Sequence, residues 1–332
     1  MARRELSPAQ LAVVQAVEPW LREAARPIMV ACSGGPDSMA LALAVAHLTS
    51  RGRAPVADAV VIDHQLQDGS AVVAQRVIDQ LARHGLPARV QRVRVEADPE
   101  SGMEAAAREA RYTGLAAAAR PDTLIVLGHT LDDQAETVLL GLARGSGTRS
   151  LAGMRERLVA NGAEFGRPLL GLRRVVTAEA CHDWQVTVWH DPHNQDKRFT
   201  RVRVRTSVLP TLEAELGPGI AEALARTAAL AMADADELDA QASLLRPACG
   251  EPLPVEELRR LPEALASRVL RGWLVAEGVP EPSYRHLLAV RSLVDDWHGQ
   301  LGVDLPAGKR VVRREGVLLV APGGRASLRG DR

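Results

Sequence analysis

The chain has 332 residues, 46% of them hydrophobic, and 41 Lys and Arg balance 41 Asp and Glu. That length and apolar content exclude a disordered chain and allow two domains, each with its own core. A net charge of +0 argues against a protein that coats nucleic acid indiscriminately, yet leaves room for a local basic patch.

Near the N-terminus, Gln15 and Glu18 interrupt the apolar stretch after Leu11, so no signal-peptide pattern is present. Nowhere does an apolar run approach the about 18 residues of a membrane span. Ile28, Met29, Val30, Ala31 and Cys32 form an apolar run that reads as a strand, and residues 39–48 read as an Ala/Leu-rich helix. Between them stand Ser33, Gly34, Gly35, Pro36, Asp37 and Ser38. Adjacent glycines let the backbone approach an anion closely, and the helix start adds free N–H groups and a positive dipole end. Ser33 and Ser38 add hydroxyl donors, and Asp37 puts a carboxylate where a phosphate-bound Mg²⁺ could sit. The expected ligand is a nucleotide phosphate.

The turn lacks the lysine of a Walker loop and the G-x-G-x-x-G of a dinucleotide fold. Its Ser-Gly-Gly-x-Asp-Ser instead resembles the PP-loop of the ATP pyrophosphatases. That resemblance implies cleavage of ATP between the α and β phosphates, with an oxygen activated as its adenylate.

Residues 59–62 read as a buried strand ending in Asp63 and His64, 71–84 as a helix and 88–95 as a strand. A long Ala-rich helix follows over 103–119, then a strand over 123–127 ending in Gly128 and His129, and a helix over 132–143. Strands alternating with helices predict an α/β fold, a parallel doubly wound sheet whose ligands bind beyond the carboxyl ends of the strands. The turn at 33–38, Asp63 with His64, and Gly128 with His129 all fall at such ends, so one crevice should collect them.

On the 103–119 helix, Glu104, Arg108 and Arg111 share a face, which taken alone describes a solvated salt-bridge ladder. Asp132, Asp133 and Glu136 crowd the first turns of the next helix. Capping and the helix dipole need one acid there; three, beside His129 and a closing Gly-rich turn, exceed that need. Residues 191–205 begin as a loop and become strongly basic through Lys197, Arg198, Arg201, Arg203 and Arg205, a density suited to phosphate-backbone contacts. Past Gly217 the pattern changes. A long helix is expected over 220–245, a proline-rich break over 247–254, helices over 262–277 and 282–297, and short strands over 301–305, 310–314 and 317–320. The expected organisation is a catalytic domain over 1–217, a connecting helix over 218–246 and a small α+β accessory domain over 247–332. Cys32, Cys181 and Cys249 form no C-x-x-C pair, against a disulfide framework, a zinc site or an iron–sulfur cluster. A cytoplasmic enzyme fits these features.

Taken in order, the PP-loop, Asp63-His64, the stretch from Glu104 through Arg108 to Arg111-Tyr112, and the run from Asp132 to Thr137 resemble the tRNA(Ile)-lysidine synthetase family. So do Arg144-Gly145-Ser146-Gly147, Gly153-Met154, Arg167-Pro168-Leu169-Leu170, residues 191–194 and Val208-Leu209-Pro210. The match covers most of residues 25–216; Val202 stands where the family usually has asparagine. The resemblance implies a PP-loop fold and an AMP-forming carbon–nitrogen ligase using ATP and Mg²⁺. Its partners would be L-lysine and the isoleucine tRNA with a CAU anticodon, with a homodimer left open. Lysine would be joined to C2 of the wobble cytidine through an adenylated intermediate, releasing pyrophosphate and AMP and changing decoding to AUA.

By the same resemblance, Asp37 would hold Mg²⁺ and Ser33, Gly34, Gly35, Pro36 and Ser38 the pyrophosphate. Asp63, His64, Gly128 and His129 would shape the ATP pocket. Arg108 and Arg111 would neutralise phosphate or the lysine carboxylate, and Asp132, with Asp133 and Glu136, would grip the lysine ammonium. Lys197, Arg198, Arg201, Arg203 and Arg205 would hold the anticodon-loop backbone, and Arg310, Arg313 and Arg314 are candidates for acceptor-stem contacts. A tRNA 2-thiolating PP-loop enzyme, an amidating synthetase and a nucleotide-sensing module are the competing readings. Pyrophosphate release requiring both tRNA and lysine separates the ligase from all of them.

Overall fold

The structure is a computed structural model describing residues 5–63, 65, 69–95, 102–145, 147–189, 191–247, 251–280 and 282–323. His64 and the side chain of Glu104 lie outside the described residues. The chain divides into two compact units, residues 1–145 with 150–229, and residues 146–149 with 230–332.

In the first unit, Ser7 and Gln10 form a capping box that starts α1 (Pro8–Ala24), with Pro8 at its first position. Val13, Val14, Val17 and Leu21 line its buried stripe. β1 (Ile28–Ala31) is apolar throughout because both of its faces are covered. α2 (Pro36–Ser50) is likewise buried almost all round, from Met39 to Ala46, between the sheet, α1 and a later helix. Then come β2 (Ala57–Asp63), α3 (Ser70–Arg83), β3 (Ala88–Arg92), α4 (Gly102–Ala118), β4 (Leu124–Leu127) and α5 (Leu131–Arg144). A one-turn helix, α6 (Thr148–Leu151), precedes a hairpin of β5 (Arg157–Ala160) and β6 (Ala163–Gly166), followed by α7 (Arg174–Asp183).

The six strands are ordered β3-β2-β1-β4-β6-β5. All neighbours run parallel except β5, an antiparallel edge strand on β6. Ile28 of β1 pairs with Ala57 on one side and Leu124 on the other. The strand order therefore reverses between β1 and β4, and their carboxyl ends, Cys32 and Gly128, open at the switch point where such sheets bind ligands. Sequence reading placed β1 to β4 but not the parallel strand β6, its antiparallel partner β5, or the helices α1 and α7.

The basic segment forms α8 (Thr200–Arg203), a π-helical turn over Val204–Val208, and α9 (Leu209–Leu216). α10 (Ile220–Leu245) follows, with the bounds expected from sequence, and the division between the units falls within it, after Ala229.

The second unit contains β7 (Leu253–Pro254), α11 (Val255–Arg260), α12 (Glu263–Ala276), α13 (Tyr284–Asp295), β8 (Val303–Leu305), β9 (Lys309–Arg314) and β10 (Val317–Pro322). Its antiparallel sheet is ordered β7-β10-β9-β8 and encloses a core around Trp273, which is 1% exposed. Arg313 donates to the carbonyls of Leu293 and Val294 at the end of α13 and stacks on Trp297, while Arg310 pairs with Asp304 at 3.5 Å. Of the three arginines expected to meet RNA there, Arg314 is the exposed one. Among the described residues no helix is long and apolar enough to cross a membrane.

Candidate active site

The loop after β1 is closed by its own hydroxyls. Ser38 Oγ donates to Gly35 O at 3.1 Å and accepts from Ser33 N at 3.1 Å, with Ser33 Oγ 3.1 Å away. Ser38 thus shapes the turn, and Ser33 stands between it and solvent. Gly34 has φ +83, and a Cβ there would meet Val77 Cγ2 at 2.6 Å, so glycine is required on two counts. Trp189 N donates to Gly34 O at 2.8 Å, laying the segment after α7 across the loop. Pro36 opens α2 where its missing N–H costs nothing.

Asp37, in the first turn of α2, accepts from Arg174 Nε at 3.3 Å and closely from Thr177 Oγ1. Burial raises its pKa; the Thr177 hydrogen bond and the Arg174 charge oppose that, and neighbouring Asp133 adds to it. The end of β4 comes so near that a Cβ on Gly128 would lie 2.9 Å from the Asp37 carbonyl carbon and from Ser38 N.

Beyond Gly128, Thr130 caps α5. Asp133 Oδ2 accepts from Thr130 N at 2.9 Å and from its hydroxyl at 3.0 Å, so Asp133 does serve as a cap. Its other oxygen faces inward, 2.7 Å from Arg174 Nη2 and 3.3 Å from Arg205 Nη2. Burial would raise the Asp133 pKa, but Arg174 and the other donors around it hold it below the usual carboxylate range. Glu136, one turn on, is 0% exposed and meets Arg174 Nη1 at 3.2 Å and Arg205 Nε at 2.7 Å, with Arg201 Nε at 3.9 Å. Asp132 accepts from Arg174 N at 2.7 Å and Arg173 Nε at 3.2 Å, and Arg173 also holds Glu222 at 2.7 Å.

A second network adjoins this one. The Tyr112 hydroxyl accepts from Arg167 Nη2 at 3.1 Å and from Arg108 Nη2 at 3.4 Å, and the Arg108 guanidinium lies over the Tyr112 ring. Arg167 Nε donates to His129 Nδ1 at 3.2 Å, which leaves the imidazole proton on Nε2. Burial pushes His129 down to about 3, with Asp133 opposing and Arg167, Arg111 and Arg108 reinforcing the drop. Arg111 is lowered first by burial and then by Arg108 and Arg201, with Tyr112 and Asp133 opposing. The positive charge gathered on this side suits an anionic group.

Asp37, Asp132, Asp133, Glu136, Arg201 and Arg205 therefore converge, with Arg108, Arg111 and His129 beside them. Asp63 stands apart from these contacts; 4% exposed, it accepts from Gln65 N at 3.0 Å and closes the turn after β2. The basic segment splits by direction. Arg201 and Arg205, one helical step of four apart, turn inward, Arg201 Nη2 also reaching Thr137 Oγ1 at 2.9 Å. Lys197, Arg198 and Arg203 are exposed; Arg198 pairs with Asp196 at 2.7 Å, and Arg203 donates to the Lys197 and Arg198 carbonyls.

Sequence reasoning missed Arg173, Arg174 and Thr177 on α7, and the role of Arg167. One signal was available: two arginines at a helix start oppose the helix dipole and make sense only facing acids.

The chain matches the family model of the PP-loop domain over residues 7–212 and that of the TilS substrate binding domain over residues 253–319. Proteins named tRNA(Ile)-lysidine synthase are similar along its length. That of Cutibacterium acnes is 48% identical over 325 residues, covering 97% of this chain and 99% of the relative. That of Rhodococcus erythropolis is 48% identical, covering 95% and 96%, and that of Mycobacterium tuberculosis 47%, covering 88% and 90%. Among solved structures, the U34-tRNA thiolase NcsA from Methanococcus maripaludis with its [4Fe-4S] cluster superposes with a TM-score of 0.54. That match spans 68% of this chain and 80% of the thiolase at 14% identity, a likeness of fold alone.

Proposed function

The chain belongs to the tRNA(Ile)-lysidine synthase family, and from that premise we propose that it is an ATP-dependent, AMP-forming ligase. It joins L-lysine to C2 of the wobble cytidine in the CAU anticodon of isoleucine tRNA. The observation that carries this reading is the convergence of Asp37 on the PP-loop with Asp132, Asp133 and Glu136 of α5 at the switch point of the sheet.

The cytosine C2 oxygen is a poor leaving group until it is phosphorylated. In the proposed first step that oxygen attacks the α-phosphorus of ATP, forming the adenylate and expelling pyrophosphate onto the glycine-rich loop and the start of α2. The hard oxygens of Asp37, at the edge of that loop and largely shielded from water, fit a magnesium ion shared with phosphates. Such an ion would neutralise charge on the departing pyrophosphate. In the second step the lysine side-chain amine attacks C2, the C2–oxygen bond breaks and AMP leaves. Asp132, Asp133 and Glu136 orient the ammonium, and Asp132 receives its proton before attack. Arg108 and Arg111 supply positive charge for a phosphate or for the carboxylate of lysine. His129, neutral and protonated on Nε2, offers a hydrogen-bond donor at the end of β4. Lys197, Arg198 and Arg203 are exposed and are assigned to anticodon-loop phosphates, whereas Arg201 and Arg205 are engaged with Glu136 and would have to leave it to take that role.

Sulfur transfer gains less support. Cys249 lies outside the described residues; of the described cysteines, Cys32 and Cys181 are buried, burial raising both thiols and pushing Cys181 up to about 12, far from the reactive thiolate. The deciding experiment measures labelled lysine incorporated into unmodified isoleucine tRNA with a CAU anticodon. ATP-dependent labelling, abolished in Asp37→Ala, is expected. Pyrophosphate release on tRNA without labelling would retain adenylation and reject lysine as the nucleophile.

A further inference from the structure

Arg174 opens α7, and its one guanidinium meets carboxylates from two other elements. Nε lies 3.3 Å from Asp37 Oδ2, Nη1 3.2 Å from Glu136 Oε1 and Nη2 2.7 Å from Asp133 Oδ1. The three acids are 19%, 0% and 11% exposed. Asp37 belongs to the nucleotide side of the site, whereas Asp133 and Glu136 belong to the side assigned to the lysine ammonium. A single resident cation therefore spans both.

The charge balance makes that arrangement consequential. Asp37, Asp132, Asp133, Glu136 and Glu222 face the guanidinium groups of Arg173, Arg174, Arg201 and Arg205, with Arg111 within electrostatic reach of Asp133 and Arg201, five charges against five. An ammonium group entering beside Asp133 and Glu136 would leave one cation in excess in a poorly hydrated place, which is costly. It is accommodated when one guanidinium withdraws. Arg205 holds Glu136 through both oxygens, and Arg173 is tied to Asp132 and Glu222. Arg174 is the one whose bonds reach across to Asp37, where a metal arriving with the nucleotide would compete with it. Nucleotide phosphates would at the same time offer its planar fork a bidentate partner.

We infer that Arg174 is a positioning residue that couples the two halves of the site: without nucleotide its guanidinium fills the ammonium subsite, and metal–nucleotide binding at Asp37 draws it away and opens that subsite to lysine. The inference rests on the assignment of Asp133 and Glu136 to lysine under the proposed function. No bond is made or broken in it. Linkage then requires lysine to tighten nucleotide binding by the same factor by which nucleotide tightens lysine binding.

The test is calorimetric titration of the full chain with L-lysine, with and without magnesium and a non-hydrolysable ATP analogue. In the native sequence the analogue should tighten lysine binding by about tenfold or more. In Arg174→Met, lysine should bind without nucleotide as tightly as it binds the native protein with it, and the coupling factor should fall close to one. Arg174→Lys, which keeps the charge but not the fork, should retain part of the coupling; if the methionine variant fails to fold, the lysine variant decides alone. Unchanged coupling in a folded variant, or no coupling in the native protein, overturns the inference. A native protein that binds the analogue but never lysine overturns the underlying functional reading instead.

Discussion

His129 is held neutral by its surroundings, and the pH dependence of stability should show it. Its Nδ1 accepts from Arg167, and burial lowers its pKa to about 3 from the ordinary 6.5, with the Arg167, Arg111 and Arg108 charges adding and Asp133 opposing. The unfolded chain thus binds a proton between those values that the folded chain refuses. The stability this group contributes is complete above pH 6.5 and is lost as pH falls toward 3. Urea unfolding of the native protein should therefore weaken on acidification, and His129→Gln, whose amide oxygen can still accept from Arg167, should flatten that slope. Asp37, with its pKa raised mainly by burial, acts in the opposite sense, losing its contribution as pH rises. It is common to both proteins and cancels in the comparison; parallel slopes would show that His129 is not the neutral buried group described. Asp37→Asn isolates a different property. Thr177 and Arg174 donate to different oxygens of Asp37, and the single amide oxygen can accept from only one of them, so stability should fall by about 1–3 kcal/mol. Affinity for the magnesium–nucleotide analogue, read by calorimetry, should fall about tenfold or more, since a neutral amide is a poor magnesium ligand. At this scale the acids of the site were legible in sequence because they crowd one loop and one helix turn. The roles of Arg167 and Arg174 were not, because both enter from about forty residues further along; the helix dipole marks only the Arg173–Arg174 pair as misplaced, and no such signal marks Arg167.

The elements decide how tightly the two edges of the crevice meet. Gly128 ends β4 against the backbone of α2, and a Cβ there would lie 2.9 Å from three main-chain atoms of Asp37 and Ser38. Backbone cannot swing aside as a side-chain tip can, so Gly128→Ala should cost about 1–3 kcal/mol of stability. It should also shift the PP-loop, and the nucleotide analogue should bind more weakly; normal affinity with normal stability would mean that β4 can retreat freely. The strand–loop–helix order of the first unit was readable because parallel strands buried on both faces become continuous apolar runs. The β5–β6 hairpin escaped although its signal was present. Asn161 and Gly162 have φ of 50° and 74° and connect paired Ala160 and Ala163, the two-residue Asn-Gly turn that hairpins favour. Its strands are four residues each, too short for alternation to stand out. The basic segment was ambiguous for another reason. On a strand, 201, 203 and 205 would alternate, whereas the helix and its π turn send Arg201 and Arg205 to Glu136 and leave Arg203 exposed. The partner of Arg201 and Arg205, Glu136, lies some seventy positions earlier, so the local pattern of charges does not show it.

At the scale of the whole molecule, the residues proposed to hold the nucleotide all belong to the first unit, whereas the region matching a substrate-binding domain belongs to the second. Each unit has its own hydrophobic core, so damage to one core need not reach the chemistry housed in the other. Trp273 is the place to test this. It is 1% exposed, packs among Leu270, Leu274 and Val290, and donates from its indole nitrogen to Glu251 O at 3.0 Å. Trp273→Ala removes that hydrogen bond and leaves a large cavity, which should destabilise the second unit by about 3–5 kcal/mol. Thermal unfolding followed by calorimetry should then show a component displaced to lower temperature while the remainder stays in place, since a chain with two cores need not melt as one. The magnesium–nucleotide analogue should bind the variant with native affinity, because Asp37, Gly34 and Gly128 keep their surroundings. Lysine transfer to tRNA should fall at temperatures where the second unit has melted and recover below them. Loss of analogue binding in step with the melting of the second unit would mean that the nucleotide site depends on it, and the division of labour between the units would have to be abandoned.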